Sequence, residues 1–138
     1  MYGDTAAGRK RVAQLREQGG DIRAVAARQV SQAAAVPWHG KAAEAMRTRI
    51  KERAGHLRAA ADRHETAAES LARHLVEVDG LKDAIETRTH KATTLVEDAR
   101  TRAAGGSESP TDPDTALLAF DPPPAGHKDW LTVELPGL

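Results

Sequence analysis

The sequence predicts an all-α protein: an antiparallel helical hairpin with a Trp-x-Gly turn, an extended second helix and a proline-rich acidic tail. Three observations carry this expectation. Two long alanine-rich stretches flank a short break, Val36-Pro37-Trp38-His39-Gly40. A heptad pattern of apolar residues runs through the second stretch. The composition then changes after Ala104, and six of the seven prolines fall in residues 105–138. Residues 1–104 are therefore expected to form the hairpin domain, and residues 105–138 a tail that is largely disordered or docks on the helical body or on a partner.

The first helix is expected from about Asp4 to Ala35, with Asp4 or Thr5 capping its start. Val12, Leu15, Ile22, Val25, Ala26, Val30 and Ala33 recur at three- and four-residue steps, the period of one helix face. Gly19-Gly20 interrupts the pattern and costs about 2 kcal/mol relative to alanine. The pair marks a kink or a close helix–helix approach, and a continuous helix, bent there, is the expectation.

The break follows. Pro37 has no N–H and disfavours helical geometry in Val36, and Gly40 reaches backbone angles closed to other residues. Large aromatics are scarce: Trp38, Trp130, Tyr2 and Phe120 are all there are. A hairpin of alanine and leucine has a thin core, so the Trp38 ring is expected to plug its open end.

The second helical stretch carries the strongest signal. Met46, Ile50, Ala54, Leu57, Ala61, His64, Ala68, Leu71, Leu75 and Val78 are followed by Lys82, Ile85, Thr89, Ala92, Val96, Ala99 and Ala103. After Ile50 the steps alternate four and three, which defines a heptad seam. Met46, Ile50, Leu57, Leu71, Leu75, Val78, Ile85 and Val96 are its larger apolar members and the candidate helix-pairing interface. A reversal near residue 38 pairs residue i with roughly residue 76 − i, so the first helix covers the second only to about Val76. The seam runs about 27 residues further, roughly 40 Å of helix. Either the chain folds back at Asp79-Gly80, or the helix continues and its seam needs a partner. The unbroken heptad phase favours a continuous or kinked helix.

Beyond Gly105-Gly106-Ser107-Glu108-Ser109-Pro110 two apolar islands stand out, Ala116–Phe120 and Trp130–Leu135. In the second, apolar and polar residues alternate as in a short strand or docking peptide. Trp130, Leu131, Val133 and Leu135 are the candidate docking residues.

Basic and acidic side chains number 20 each, but unevenly placed. Residues 1–104 carry a net +5 and residues 105–138 a net −5. A charge of +5 interspersed along a long body does not define a nucleic-acid surface. There is no cysteine, which excludes disulfide and thiol chemistry. No stretch approaches the length of a membrane span, and no basic region followed by an apolar one opens the chain. The expected location is cytoplasmic before any export, which would proceed without a cleaved signal peptide. No phosphate-binding loop, dinucleotide fingerprint, nucleophile elbow or HExxH pattern occurs. His56, His64, His74 and His90 lie on the second stretch, and Glu52 and His56 share a face at i, i+4. No matching second pair makes a di-metal motif, so no metal and no cofactor are expected. His64 falls on the seam as a polar, register-setting residue. The expectation is a non-enzymatic protein.

A roughly 35-residue helix, then Trp38-His39-Gly40, then Lys41-Ala42-Ala43-Glu44-Ala45-Met46, resembles the WXG family. These are the early-secreted-antigen-like helical hairpins of type VII secretion in actinobacteria and relatives. Gly40–Ala45 is most similar to the toxin-associated version, and Leu57-x-x-Ala60-Ala61 and His64-x-x-Ala67-Ala68-x-x-Leu71 are also similar. The resemblance covers residues 4–78 and extends toward 104. It implies a small helical adaptor or substrate of a type VII-like pathway. Such a protein would act as a homodimer or as a heterodimer with a similar hairpin, with secretion machinery or a toxin as further partners. The family's Tyr-x-x-x-Asp/Glu export signal is missing, since Tyr2 is the only tyrosine, so the resemblance implies a partner that carries it. Two other functions fit the same residues: a targeting chaperone for a secreted toxin, and a cytosolic coiled-coil scaffold unrelated to secretion.

Overall fold

A computed structural model describes residues 4–106, 109 and 111–138. Tyr2, and Ser107, Glu108 and Pro110 of the expected helix stop, lie outside the described residues. Three α-helices follow one another: α1 (Thr5–Ala35), α2 (Lys41–Gly105) and α3 (Asp112–Leu118). A 3-10 turn closes the order at Lys128–Thr132. No strand occurs among the described residues. The chain divides into two compact units, Thr5–Leu75 and Val76–Leu138.

In the first unit α1 packs antiparallel on residues 41–75 of α2. The buried residues of α1 are Thr5, Val12, Gly19, Ala26 and Ala33, one every seventh position. Those of α2 that face them, Ala54, Ala61, Ala68 and Leu75, keep the same spacing. Small side chains at each layer draw the helix backbones together. A Cβ placed on Gly19 would stand 3.4 Å from the Ala61 carbonyl oxygen, whereas one on Gly20 would meet nothing within 4 Å. Gly19 is thus the close approach and α1 runs unbroken through both glycines. Near the other end Leu75 reaches over Gly8, filling the space a Cβ would need.

Facing layers such as Val12 with Ala68 and Gly19 with Ala61 pair residue i with roughly residue 80 − i. That is one helical turn beyond the expected register. The bonds from Arg47 described below fix this register, because they hold the second turn of α2 against Ala33 at the end of α1 and against Val36 and Trp38 of the connection.

α2 continues through Asp79-Gly80 as one helix. In the second unit, residues 111–138 lie along α2. Leu117 packs with Val96 and Ala99, and Trp130 with Ile85 and Ala92. Phe120 contributes to both clusters and meets Trp130 edge-on at 6.0 Å. α3 begins at Thr111, whose hydroxyl accepts from the Asp114 N–H, and Pro113 occupies its first turn, where a missing N–H costs nothing. The seam expected to overhang without cover is therefore occupied from Ile85 to Ala99 by the chain's own tail. Trp130-Leu131-Thr132 lies in the 3-10 turn rather than in a strand, since no sheet edge is at hand to pair with it.

Candidate interaction site

The connection between α1 and α2 is built around a missing donor. In a continuing helix the Ala33 carbonyl would accept from the N–H of residue 37, and Pro37 has none. Arg47, one turn into α2, supplies it: Nε donates to Ala33 O at 3.2 Å. Its Nη2 donates to Val36 O at 2.8 Å and Trp38 O at 2.7 Å. Gly40 sits at φ +104°, where a side chain would be strained, and its carbonyl accepts from Glu44 N at 3.1 Å to open α2.

Trp38 does not plug the hairpin. It is 61% exposed, because alanine layers leave no hollow at the hairpin's end and the guanidinium of Arg47 fills the position instead. Its backbone is held while its ring faces solvent.

The seam residues divide by heptad position. The central position of the hairpin, Ala54, Ala61, Ala68 and Leu75, is buried against α1. Three residues on lies a second position, Ile50, Leu57, His64 and Leu71, all half-buried, and its α1 counterparts Leu15 and Ile22 are half-buried too. Antiparallel helices are related by a local two-fold axis normal to the hairpin plane, so equivalent positions fall on the same broad face. Leu15 and Leu71 pack together against the Val12–Ala68–Leu75 cluster, and Gln29, Arg53, His56 and Leu57 outline a shallow depression there. One face of the hairpin thus shows a part-covered apolar stripe. Met46 is half-buried at the start of α2. His64 satisfies its Nδ1 on Ala60 O at 2.9 Å, within its own helix. Arg23 bridges to Asp62 and Glu65 across the hairpin; being exposed, such pairs contribute less than about 1 kcal/mol.

In the second unit Val78, Ile85 and Val96 are buried, as is Trp130, while Leu131, Val133 and Leu135 are half-buried against the Ile85–Ala92 cluster. Two arginines of α2 hold the tail. Arg88 donates to Trp130 O at 2.8 Å and also to Val133 O. Arg102 grips Asp114 with two bonds, at 3.2 and 2.6 Å. That hydrogen-bonded pairing holds the Asp114 carboxyl below its ordinary value and raises Arg102 above its own. The Trp130 indole N–H donates to Pro124 O at 3.1 Å. Beside the tail a groove of about 510 Å³ stays open, lined by Lys82, Ile85, Glu86, Thr89, His90, Thr93 and Gly126.

Sequence reasoning missed Arg47, Arg88 and Arg102. The signal for Arg47 was available: a helix ending in Ala-Val-Pro has neither a glycine cap nor an N–H at Pro37, so its last carbonyls need a side-chain donor. For Arg88 and Arg102 no local signal exists, as their acceptors lie 12 to 45 residues away.

Among the described residues no group of three or more His, Cys, Asp or Glu side chains could hold a metal, and no helix is long and apolar enough to cross a membrane. Comparison of the chain with known protein families, curated proteins and solved structures gave no match.

Proposed function

We propose that this chain is a non-enzymatic helical adaptor or substrate of a type VII-like secretion pathway, acting by pairing with a second helical hairpin. The observation that carries the reading is the half-covered stripe on one face of the hairpin, formed by Leu15, Ile22, Ile50, Leu57 and Leu71. Apolar heptad positions rarely face water unpaired, and a matching stripe on a copy or a similar hairpin would bury this one. The alanine seam is not the interface, because α1 already occupies it. The resemblance of Trp38-His39-Gly40 to the WXG signature supports the pathway, and the exposed Trp38 ring on a braced turn supports a role in recognition there. Partnership with a toxin's own helical hairpin, the chaperone reading, uses the same stripe.

Light scattering tests the pairing. The expected result is a dimer, alone or with a hairpin protein encoded beside it, and monomers with unchanged helicity for Ile22→Glu/Leu57→Glu. A wild-type chain that stays monomeric with every such partner overturns the pairing. Co-expression with a type VII-like system then separates adaptor, substrate and chaperone by which chain reaches the medium.

A further inference from the structure

We propose that the stretch of α2 beneath the tail is a second, latent helix-pairing surface, that its partner is the same stretch of another copy, and that residues 111–138 are the strap that occupies it. The proposal rests on the second unit alone and does not require the hairpin-face pairing.

The first ground is pattern. Ile85, Ala92 and Ala99 follow one another at seven-residue spacing with no accessible surface left on either alanine, and Val96 is buried among them. Small residues at that spacing are what allow α1 and α2 to approach closely in the hairpin, but here they are covered by a 3-10 turn, a helix of about two turns and loop. The second ground is fit. A straight helix laid along a heptad seam fills it evenly. The tail instead buries only Leu117 and Trp130 fully, adds the half-buried Phe120, Leu131, Val133, Leu135 and Leu138 around them, and leaves the 510 Å³ groove beside Thr89 and Thr93 open. The third ground is charge. Glu86 and Arg100 are exposed on the same flank of α2, two heptads apart. Antiparallel copies centred near Thr93 would set each Glu86 opposite the other's Arg100, whereas parallel copies would carry these two flanks to opposite sides of the seam, where the charges would not meet. The flank thus selects a two-fold, self-complementary partner. The fourth ground is the hold itself: Arg88 and Arg102 bond the tail, and Leu117 and Trp130 are its most deeply buried side chains, so these are the anchors whose loss would release it.

The test uses the full chain in the Ile22→Glu/Leu57→Glu background, which blocks the hairpin face. With the tail intact this chain should sediment as a monomer. Adding Leu117→Ala/Trp130→Ala should double the mass while amides of residues 85–99 stay protected from hydrogen exchange. Arg100→Glu in that released chain should weaken association at least tenfold, and Glu86→Arg added to it should restore association. A released chain that stays monomeric, or whose residues 85–99 lose protection, overturns the proposal and leaves the tail as a cap on the helix. So does Arg100→Glu without effect. A dimer in the blocked background before release counts against the hairpin-face reading alone, and the strap is then read from a further doubling on release. The unmodified chain gives an independent check: the Trp130 indole N–H should exchange at least tenfold faster than the slowest amides of the α1–α2 layers. Exchange at the same rate would show that the tail opens only with the whole molecule and would overturn its role as a releasable strap.

Discussion

Arg47 and Trp38 divide the work of the turn between them. The arginine satisfies three carbonyls that Pro37 and the chain reversal leave without donors, while the ring takes no part in holding the hairpin. Arg47→Ala is therefore expected to cost about 1–2 kcal/mol, the scale of charged hydrogen bonds at a partly exposed site. Trp38→Ala should move stability by less than about 0.5 kcal/mol, as for other surface changes, and should weaken partner recognition instead. Thermal denaturation of the two variants checks the contrast, and a large loss for Trp38→Ala would show a buried ring. At the other end of the chain, Asp114 titrates in a definite direction. Its folded value lies below the ordinary 3.8, so its contribution is complete above about pH 4 and is lost as pH falls through the lowered value. The carboxyl resonance of Asp114, followed by titration, should show a midpoint below that of the unfolded chain, and Arg102→Gln should return it toward the ordinary range.

At the scale of elements, the hairpin depends on how closely α1 and α2 approach. Alanine layers bury little area each, so the stability of this pair depends on close packing of the two helices and suffers when they are forced apart. Gly19 and Gly20 separate this effect from helix propensity. Gly20→Ala adds a methyl group in open space and should stabilise the chain by about 0.5–1 kcal/mol. Gly19→Leu pushes against Ala61 and His64 and should destabilise it by roughly 1–3 kcal/mol through overpacking. Chemical denaturation of the two variants reads both signs, and the same sign for both would mean that Gly19 is not a contact point. α2 shows how one long helix serves two kinds of cover. Its buried heptad position is Ala54, Ala61, Ala68 and Leu75 under α1, and it shifts by three residues to Val78, Ile85, Ala92 and Ala99 in the second unit.

For the molecule as a whole, association follows from which seam positions the chain covers by itself. Helix α1 takes the central position of the hairpin and the tail takes part of the seam beyond Leu75. The flank of the hairpin stays half-bare, and pairing is expected there first. Because the chain has no cysteine, a single introduced thiol reports on that pairing without background. Leu57→Cys should label slowly in the dimer and quickly in the Ile22→Glu monomer. Equal labelling rates would place the interface elsewhere.

Heptad spacing, Pro37 with Gly40, and the composition change after Ala104 determine two long helices, their reversal and the start of the tail. These are local signals, written in neighbours three to seven residues apart, and the continuous seam phase also favours α2 running through Asp79-Gly80. Tertiary structure alone decided the rest. Whether Trp38 is buried depends on a hollow that alanine layers do not provide. The register depends on where Arg47 meets the end of α1. The fate of the seam beyond Leu75 depends on Leu117 and Trp130, brought onto α2 from tens of residues away. A sequence records the apolar character of a face, but what covers that face is set by packing between segments distant along the chain.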